Sequence, residues 1–282
     1  MTNFPYDRIV SYGCSLTAGS EMTDHDYIGI TEDELAAIAK RNKYVGSHQI
    51  YQHFSIDRKS QMEIVDNNRT KSWPNFVAKH YGILSLNRAI PGSSLAHATF
   101  RLLQDIQNNV IQPTDLVVVG ITSPNRWFQF TSSGEPYYGV FGVGWELLGG
   151  ERSSLAYKTE LEKYWYNLYN IVYSHYKEIQ FLTNLSETMN GQIKLCYALG
   201  TPQFIEYIFS DVLKDKSKES EFMKFCNKLL DEKHFIYSEK SLSELAGYRD
   251  YSKYHTFGHP RVQYHEEFAN LLIDELEKSY NG

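Results

Sequence analysis

Cysteine is scarce in this sequence, which contains three in 282 residues: Cys14, Cys196 and Cys226. So small and odd a number argues against a disulfide framework and is typical of a reducing compartment. Basic residues are also in deficit, because 28 Lys and Arg face 34 Asp and Glu, for a net charge of −6. That balance argues against a nucleic-acid-binding face. No apolar run reaches the length that a membrane span requires, so we expect neither nucleic acid nor membrane as a partner.

The N-terminal segment lacks a basic stretch followed by an apolar one, so the sequence predicts no secretory signal and a cytoplasmic location. Apolar residues make up 42% of the chain, which is ample for a full core. Neither a repeat nor a low-complexity linker is apparent. We therefore predict one domain, 1–282, with insertions at about 21–71, 127–150 and 211–254.

Short apolar runs alternate with longer amphipathic stretches, which indicates an α/β fold with a parallel sheet between two layers of helices. Strands are predicted at 8–12, 83–86, 116–119 and 193–199. One helix should begin at Ser72, a plausible N-cap with a proline in the first turn. Further helices are predicted at 95–108, 154–176 and 260–280.

The first two predicted insertions follow strand ends and should lie over the mouth of a site, as long functional loops often do. The segment 21–71 begins with an acidic cluster that includes Asp24, and 127–150 is rich in glycine and aromatic residues. The segment 211–254 is charged and mostly helical in pattern. We interpret the acidic cluster as solvated rather than as a metal site, and expect no metal.

The most informative stretch reads Ile9-Val-Ser-Tyr-Gly13-Cys-Ser15-Leu-Thr17-Ala-Gly19. An apolar strand ends here in small residues, so the Ser15 hydroxyl should lie at the exit of a buried parallel strand. Ligands of open α/β sheets bind at that edge. A serine there also lies beside the free N–H groups of a following helix, which favour negative charge.

This stretch resembles the first motif of the SGNH/GDSL hydrolase superfamily, Gly-Asp-Ser-Leu-Thr-x-Gly, with Cys14 in place of the usual aspartate. Three further segments resemble the remaining motifs and follow in the expected order, so that the resemblance spans roughly 8–276. They read Leu86-Asn-Arg-Ala-Ile-Pro-Gly92, Gly120-Ile-Thr122-Ser-Pro-Asn125-Arg126 and Thr256-Phe-Gly-His259-Pro. The form Tyr-Gly-Cys-Ser is also similar to SGNH-like proteins of bacteriophages, which would place the protein in the host cytoplasm or the virion.

The resemblance implies a three-layer α/β/α sandwich with a central parallel sheet of about five strands in flavodoxin-like order. It also implies a serine esterase acting on a small ester, such as an O-acetyl group on a carbohydrate. Ser15 would be the nucleophile and His259 the base. The backbone N–H groups of Ser15 and Gly92 would bind the oxyanion, and no cofactor is needed.

Two positions depart from the superfamily pattern. Thr122 stands where the third motif has an asparagine that contributes to the oxyanion hole, and Asn125 would supply the amide if the loop bends back. Thr256 stands where the last motif has the orienting aspartate. Asp250, nine residues before His259, is one replacement. We favour a backbone carbonyl or the Thr256 hydroxyl, which would leave a Ser-His dyad in place of a triad.

Other interpretations remain open from the sequence alone. The chain could be a catalytically degenerate SGNH-fold protein that binds a glycan or a protein partner, or an acyltransferase that uses the same residues. His255 is an alternative base, and His265 is expected to be structural or to line the rim of the site. The motifs determine neither the substrate nor the oligomeric state.

Overall fold

The computed structural model describes residues 4–20, 22, 24–42, 47–122, 124, 126–130, 136–140, 168–199, 201, 224, 232–237, 239–247 and 259–281. Strands in this part of the chain are β1 (Arg8–Tyr12), β2 (Leu84–Asn87), β3 (Asp115–Ile121), β4 (Arg126–Phe130), β5 (Pro136–Val140), β6 (Ile193–Tyr197) and β7 (Phe235–Tyr237). Its α-helices are α1 (Ser15–Ala18), α2 (Asp24–Ile28), α3 (Glu32–Asn42), α4 (Ser47–His53), α5 (Arg58–Thr70), α6 (Trp73–Tyr81), α7 (Leu95–Gln107), α8 (Leu168–Thr188), α9 (Leu242–Leu245) and α10 (Val262–Asn281).

Five strands form a parallel sheet in the order β2-β1-β3-β6-β7. Counted along the chain, this is the 2-1-3-4-5 order of flavodoxin-like folds, with β1 and β3 at the switch point. All seven residues of β3 are buried, as expected for a central strand whose two faces are both covered. The predicted five-stranded parallel sheet and its order are confirmed.

Side chains alternate between the two faces of the sheet, as the period of a strand requires. On one face Leu116 and Val118 pack in a core with Trp73 of α6 and Phe268 of α10. On the other face Val117 and Val119 lie in a second core. This second core includes Leu102 of α7 and Ile179 and Leu182 of α8. The structure is therefore the three-layer sandwich that the sequence predicted.

Several boundaries differ from the sequence prediction. The fifth strand, β7, lies inside the segment 211–254, so this segment is not an insertion throughout. Its three residues are too few to show a strand period in a charged context. Helix α8 continues to Thr188, well past the predicted end at 176, and 154–167 lies outside the described residues.

The first predicted insertion folds into helices α2 to α5 and has a small core of its own, formed by Leu35, Ala39 and Ile50. The second contributes an antiparallel pair, β4 and β5, which forms a separate two-stranded sheet. Within the described part of the chain, no helix is both long enough and apolar enough to span a membrane.

Candidate active site

Ser15 is the first residue of α1, a single helical turn that directly follows β1. Cys14 occupies the N-cap position, and its carbonyl oxygen accepts hydrogen bonds from the N–H groups of Thr17 (3.0 Å) and Ala18 (2.9 Å). Gly19 ends the turn in the left-handed conformation at φ 73°. These bonds satisfy two of the four N–H groups of the turn, whereas the N–H groups at its first two positions, Ser15 and Leu16, have no acceptor within the helix. The Ser15 residue itself is 4% exposed.

The buried setting of Cys14 suits a cysteine better than the aspartate that stands at this position in the motif that the stretch resembles. Its side chain is completely buried and belongs to the same core cluster as Leu16 and Trp73. A carboxylate in that apolar setting would need a partner to offset its desolvation, whereas a thiol packs as a small apolar group. The thiol makes no capping hydrogen bond to the helix.

Asn87, at the end of β2, holds α1 in place through its side chain. Its Nδ2 donates to the Thr17 carbonyl oxygen (2.8 Å) and to the Ser72 Oγ (3.1 Å). Its Oδ1 accepts from the Ala89 N–H (3.1 Å). One amide therefore joins the helix that carries Ser15 to the N-terminus of α6.

Two glycines make room for the side chain of Thr17 beneath α1. A Cβ built on Gly120 of β3 would lie 2.2 Å from Thr17 Oγ1, and one on Gly13 would lie 2.4 Å from the same atom. Gly13 also has a φ of +149°, which L-residues rarely adopt. Thr17 Oγ1 is buried and has no hydrogen-bond partner in the described part of the chain. The glycines of the first and third motifs are thus required by packing against one threonine.

Gly92 lies in the loop between β2 and α7, with a φ of +81°. This loop runs alongside the end of β1, because the Arg88 N–H donates to the Ser11 carbonyl oxygen (2.8 Å) and the Ile90 N–H to that of Gly13 (3.1 Å). After the loop, Ser94 caps α7 by accepting from the His97 N–H (3.1 Å). Gly92 is therefore held next to the turn that leads into Ser15.

Thr122 follows β3 directly and is fully buried. Its Oγ1 has no hydrogen-bond partner among the residues that the structure describes. The preceding carbonyl, that of Ile121, accepts from the N–H groups of Ala198 and Leu199, both at 3.0 Å, which fixes the exit of β3 against β6. Asn125, the other predicted oxyanion donor, lies outside the described residues.

His259 is partly buried and lies just before α10. His265, in α10, is 1% exposed, and its Nδ1 accepts a hydrogen bond from the Trp73 N–H (3.3 Å). Burial, and then repulsion by His259, lowers the pKa of His265 to about 3. His265 is thus a neutral core residue, and the suggestion that it lines the rim is wrong. Asp250, His255 and Thr256 lie outside the described residues.

The ends of neighbouring parallel strands bring three of the predicted site residues to one edge of the sheet. Ser15 follows β1, Gly92 follows β2 and Thr122 follows β3, and β1 pairs with both of the others. This is the carboxyl edge at the switch point, where open α/β sheets bind ligands. A hydrogen bond between Ser15 and His259 stays a prediction.

The prediction that the acidic cluster of the first insertion is solvated is wrong for Asp24. Asp24 is fully buried and accepts hydrogen bonds from Tyr51 Oη and Asn68 Nδ2, both at 2.9 Å. These bonds tie α2 to α4 and α5. In the described part of the chain, no group of three or more histidine, cysteine or acidic residues could hold a metal ion.

Sequence reasoning missed a polar network beside the site. Arg88 binds Asp105 with both arms, Nε to Oδ2 at 2.8 Å and Nη2 to Oδ1 at 2.7 Å, while Tyr12 Oη donates to Oδ2 at 2.7 Å. Burial raises the pKa of Asp105, but the hydrogen bonds from Arg88 and Tyr12 outweigh it and lower the pKa below its ordinary value. The available signal was that Asp105 continues the helical spacing of the apolar residues Leu95, Ala98 and Leu102 in α7.

Comparisons with known proteins return two solved structures of interest. The chain is similar to a psychrotrophic esterase from a Pseudoalteromonas species, with 12% identity, coverage of 98% of this chain and 100% of that chain, and a TM-score of 0.43. It is also similar to a GDSL-like lipase from Parabacteroides merdae, with 12% identity, coverage of 98% of both chains and a TM-score of 0.40. Neither a family model nor a curated protein matches the sequence. Because both TM-scores are below 0.5, the assignment of the fold depends on the sheet order of this chain, and any proposal about its chemistry depends on its own residues.

Proposed function

We propose that this protein is a serine esterase of the SGNH/GDSL type that hydrolyses a small ester, such as an O-acetyl group on a carbohydrate. The observation that carries the proposal is the meeting of three strand ends at one sheet edge, with Ser15, Gly92 and Thr122 in the following residues. Acyl transfer needs a hydroxyl nucleophile beside donors aimed at a developing oxyanion. The proposal assigns both kinds of group to this edge.

In the proposed mechanism, Ser15 Oγ attacks the ester carbonyl and passes its proton to His259. The oxyanion accepts hydrogen bonds from the backbone N–H groups of Ser15 and Gly92. His259 then protonates the departing alcohol, and a water molecule, activated by the same imidazole, hydrolyses the acyl-enzyme. The acceptor is water in an esterase and a second alcohol in an acyltransferase.

Thr122 is the proposed third oxyanion donor, with Asn125 as its alternative. The hydroxyl of Thr122 is free of other hydrogen bonds within the described residues, which supports its use as a donor. A hydroxyl reaches less far than the amide that it replaces. Loss of one oxyanion donor costs about 10²–10³ in rate, so we expect a slow enzyme.

The low exposure of Ser15, at 4%, favours a second candidate, a catalytically degenerate protein that binds a glycan or a protein partner. A buried hydroxyl would not react unless substrate could reach it. Labelling with a fluorophosphonate separates the two candidates, because only a reactive serine forms the adduct.

The decisive variant is Ser15→Ala, assayed with p-nitrophenyl acetate and with a fluorophosphonate. We expect it to abolish both turnover and labelling with little loss of stability. Ser20→Ala is the matched control, since Ser20 lies just beyond the same turn and donates its N–H to the Ser15 carbonyl oxygen (3.0 Å). Turnover at the wild-type rate in Ser15→Ala would refute the assignment of the nucleophile.

The orienting group of His259 is tested by Asp250→Asn. Only neutral imidazole acts as a base, so turnover should fall on acidification. With a dyad, Asp250→Asn leaves the midpoint of the pH–rate profile and the rate unchanged. A large drop in turnover with folding intact would show that Asp250 orients the base.

A further inference from the structure

Three arginines, Arg69, Arg88 and Arg101, lie near one another beside the end of β2, and in the described part of the chain two carboxylates, Asp66 and Asp105, form ion pairs with them. Asp105, whose side chain is 5% exposed, is held by both arms of Arg88 and by Tyr12 Oη. A carboxylate with three such donors has little capacity left for another cation. Asp105 therefore neutralises the positive charge of Arg88 and has little left to offer Arg69 and Arg101.

Arg101 lies one turn before Asp105 on the same face of α7 and is partly buried. Within the described residues it forms neither a hydrogen bond nor an ion pair. Burial, and then repulsion by Arg88, lowers the pKa of its guanidinium; Asp105 opposes this effect and Arg69 adds to it. A partly desolvated guanidinium without a counter-ion is costly, and an anion bound from solution would remove that cost.

Arg69, at the end of α5, offers a second uncommitted donor. Its Nη1 reaches the exposed Asp66 at 3.2 Å. Its Nε is buried and has no partner in the part of the chain that the structure describes. Two titratable neighbours add no charge at neutral pH, because burial lowers the pKa of His97 to about 4 and raises that of the Tyr12 hydroxyl. The net charge of the group is positive.

This group adjoins the proposed oxyanion loop. Helix α7 begins at Leu95, shortly after Gly92, and Ser94 is its N-cap. Arg101 lies seven residues after Ser94. At 1.5 Å per residue, that distance is roughly 10 Å along the helix axis. Because long side chains on a helix lean towards its N-terminus, we expect the Arg101 guanidinium to lie on the loop side of its own Cα.

We propose that Arg101, assisted by Arg69, forms a subsite for an anionic oxygen group of the substrate, either a carboxylate or a phosphate. The subsite would lie roughly 10 Å or less from the acyl centre, as the position of Arg101 along α7 requires. The preferred ester would then carry a negative charge several bonds away from the carbonyl that Ser15 attacks. Calling the ligand a substrate rests on the proposed esterase function. Anion binding by the subsite does not, and can be measured without turnover.

The first experiment measures binding of inorganic phosphate and of succinate by calorimetry at constant ionic strength. We expect the wild-type protein to bind at least one of them, and Arg101→Gln to weaken binding about tenfold or more, since a charge-assisted hydrogen bond is lost. Arg101→Lys keeps the positive charge but loses the paired N–H donors of the guanidinium, so its affinity should be intermediate. Arg58→Gln is the matched control, because Arg58 is exposed at the opposite end of α5 from Arg69.

Equal affinities in the wild type and Arg101→Gln, or no binding of either anion by the wild type, would overturn the subsite. The relative affinities of phosphate and succinate identify the kind of anion. The second experiment compares the p-nitrophenyl esters of succinate and acetate. Arg101→Gln should lower the preference for the charged ester about tenfold, and Arg58→Gln should leave it unchanged. Absence of turnover with both esters would count against the proposed esterase while the binding result still decides the subsite.

Discussion

The fit between Gly120 and Thr17 leads to a sharp prediction for the variant Gly120→Ala. The added methyl group would lie 2.2 Å from Thr17 Oγ1 and 3.2 Å from the Ala198 Cβ. Such a short approach requires either the Thr17 side chain to leave its rotamer or α1 to move away from β3. Overpacking of this kind typically costs about 1–3 kcal/mol, and we expect about 2–3 kcal/mol here because the β-branched Thr17 is stiff at χ1 and the Ala198 Cβ is fixed by its backbone. The melting temperature should fall by roughly 5 °C.

Removing the opposing atom should relieve the clash. In Gly120→Ala with Thr17→Ala, the nearest remaining neighbours of the new methyl are the Cβ atoms of Ala198 and residue 17, at 3.2 and 3.4 Å. The double variant should therefore be more stable than the sum of the single changes predicts, by about 1–3 kcal/mol. Thr17→Ser keeps the clashing oxygen and should give no such rescue.

Urea unfolding at pH 7 measures these free energies, and the rate of fluorophosphonate labelling reports on Ser15, which moves with α1. Gly13→Ala offers a contrast. Its methyl would also lie 2.9 Å from the Gly120 carbonyl oxygen at a φ of +149°, so Thr17→Ala should not rescue it. Wild-type stability in Gly120→Ala, or equal rescue by Thr17→Ser and Thr17→Ala, would refute the packing argument.

Two further predictions concern pH and buried ionisable groups. Asp105→Asn should destabilise the protein by about 2–3 kcal/mol at neutral pH, less than for a fully buried pair because Arg88 is 33% exposed. The native pKa of Asp105 is lowered, so the stability that its carboxylate contributes is present above about pH 3.9 and is lost on further acidification. The difference between variant and wild type in urea unfolding should shrink there; a constant difference would contradict the ion pair. The wild-type protein should lose stability as the pH falls below about 6.5, because His265, with a native pKa of about 3, binds fewer protons in the native than in the unfolded state. The His265→Gln variant should lose less stability over the same range. The slope should decrease by about 1.4 kcal/mol per pH unit, and an unchanged slope measured by urea unfolding between pH 4 and 6 would show that His265 is not buried in neutral form.

The sheet was predictable because its strands carry strong local signals. The run Leu116–Val119 is continuously apolar, as a strand covered on both faces must be, and the structure extends it only to Asp115 and Ile121. β7 has three residues, one of them buried, and its place in the sheet is decided by pairing with β6 rather than by its own pattern. Tertiary context of that kind leaves no periodic signal in a short segment.

For the candidate site, the motif spacing predicted which strand ends meet, because parallel strands all end at the same edge. It could not predict the neutral state of His265 or the hydrogen bonds of Asp24. Both depend on which neighbours surround a side chain in three dimensions. Asp24 lies among acidic residues in the sequence and next to Tyr51 and Asn68 in the fold. A count of local charge therefore predicts solvation where the structure has a buried hydrogen-bonded carboxylate.

The helix that carries Ser15 is one turn long, and its fixed position depends on distant parts of the chain. Asn87 holds it across a separation of 70 residues, and His265 meets the neighbouring Trp73 across 192. Contacts of such long range form late in folding, because loop closure must precede them. Ser15 should therefore reach its final position only after β1, β2, β3 and α6 have assembled. During refolding, recovery of Ser15 labelling should lag behind recovery of helical signal, which makes this serine a reporter of completed folding.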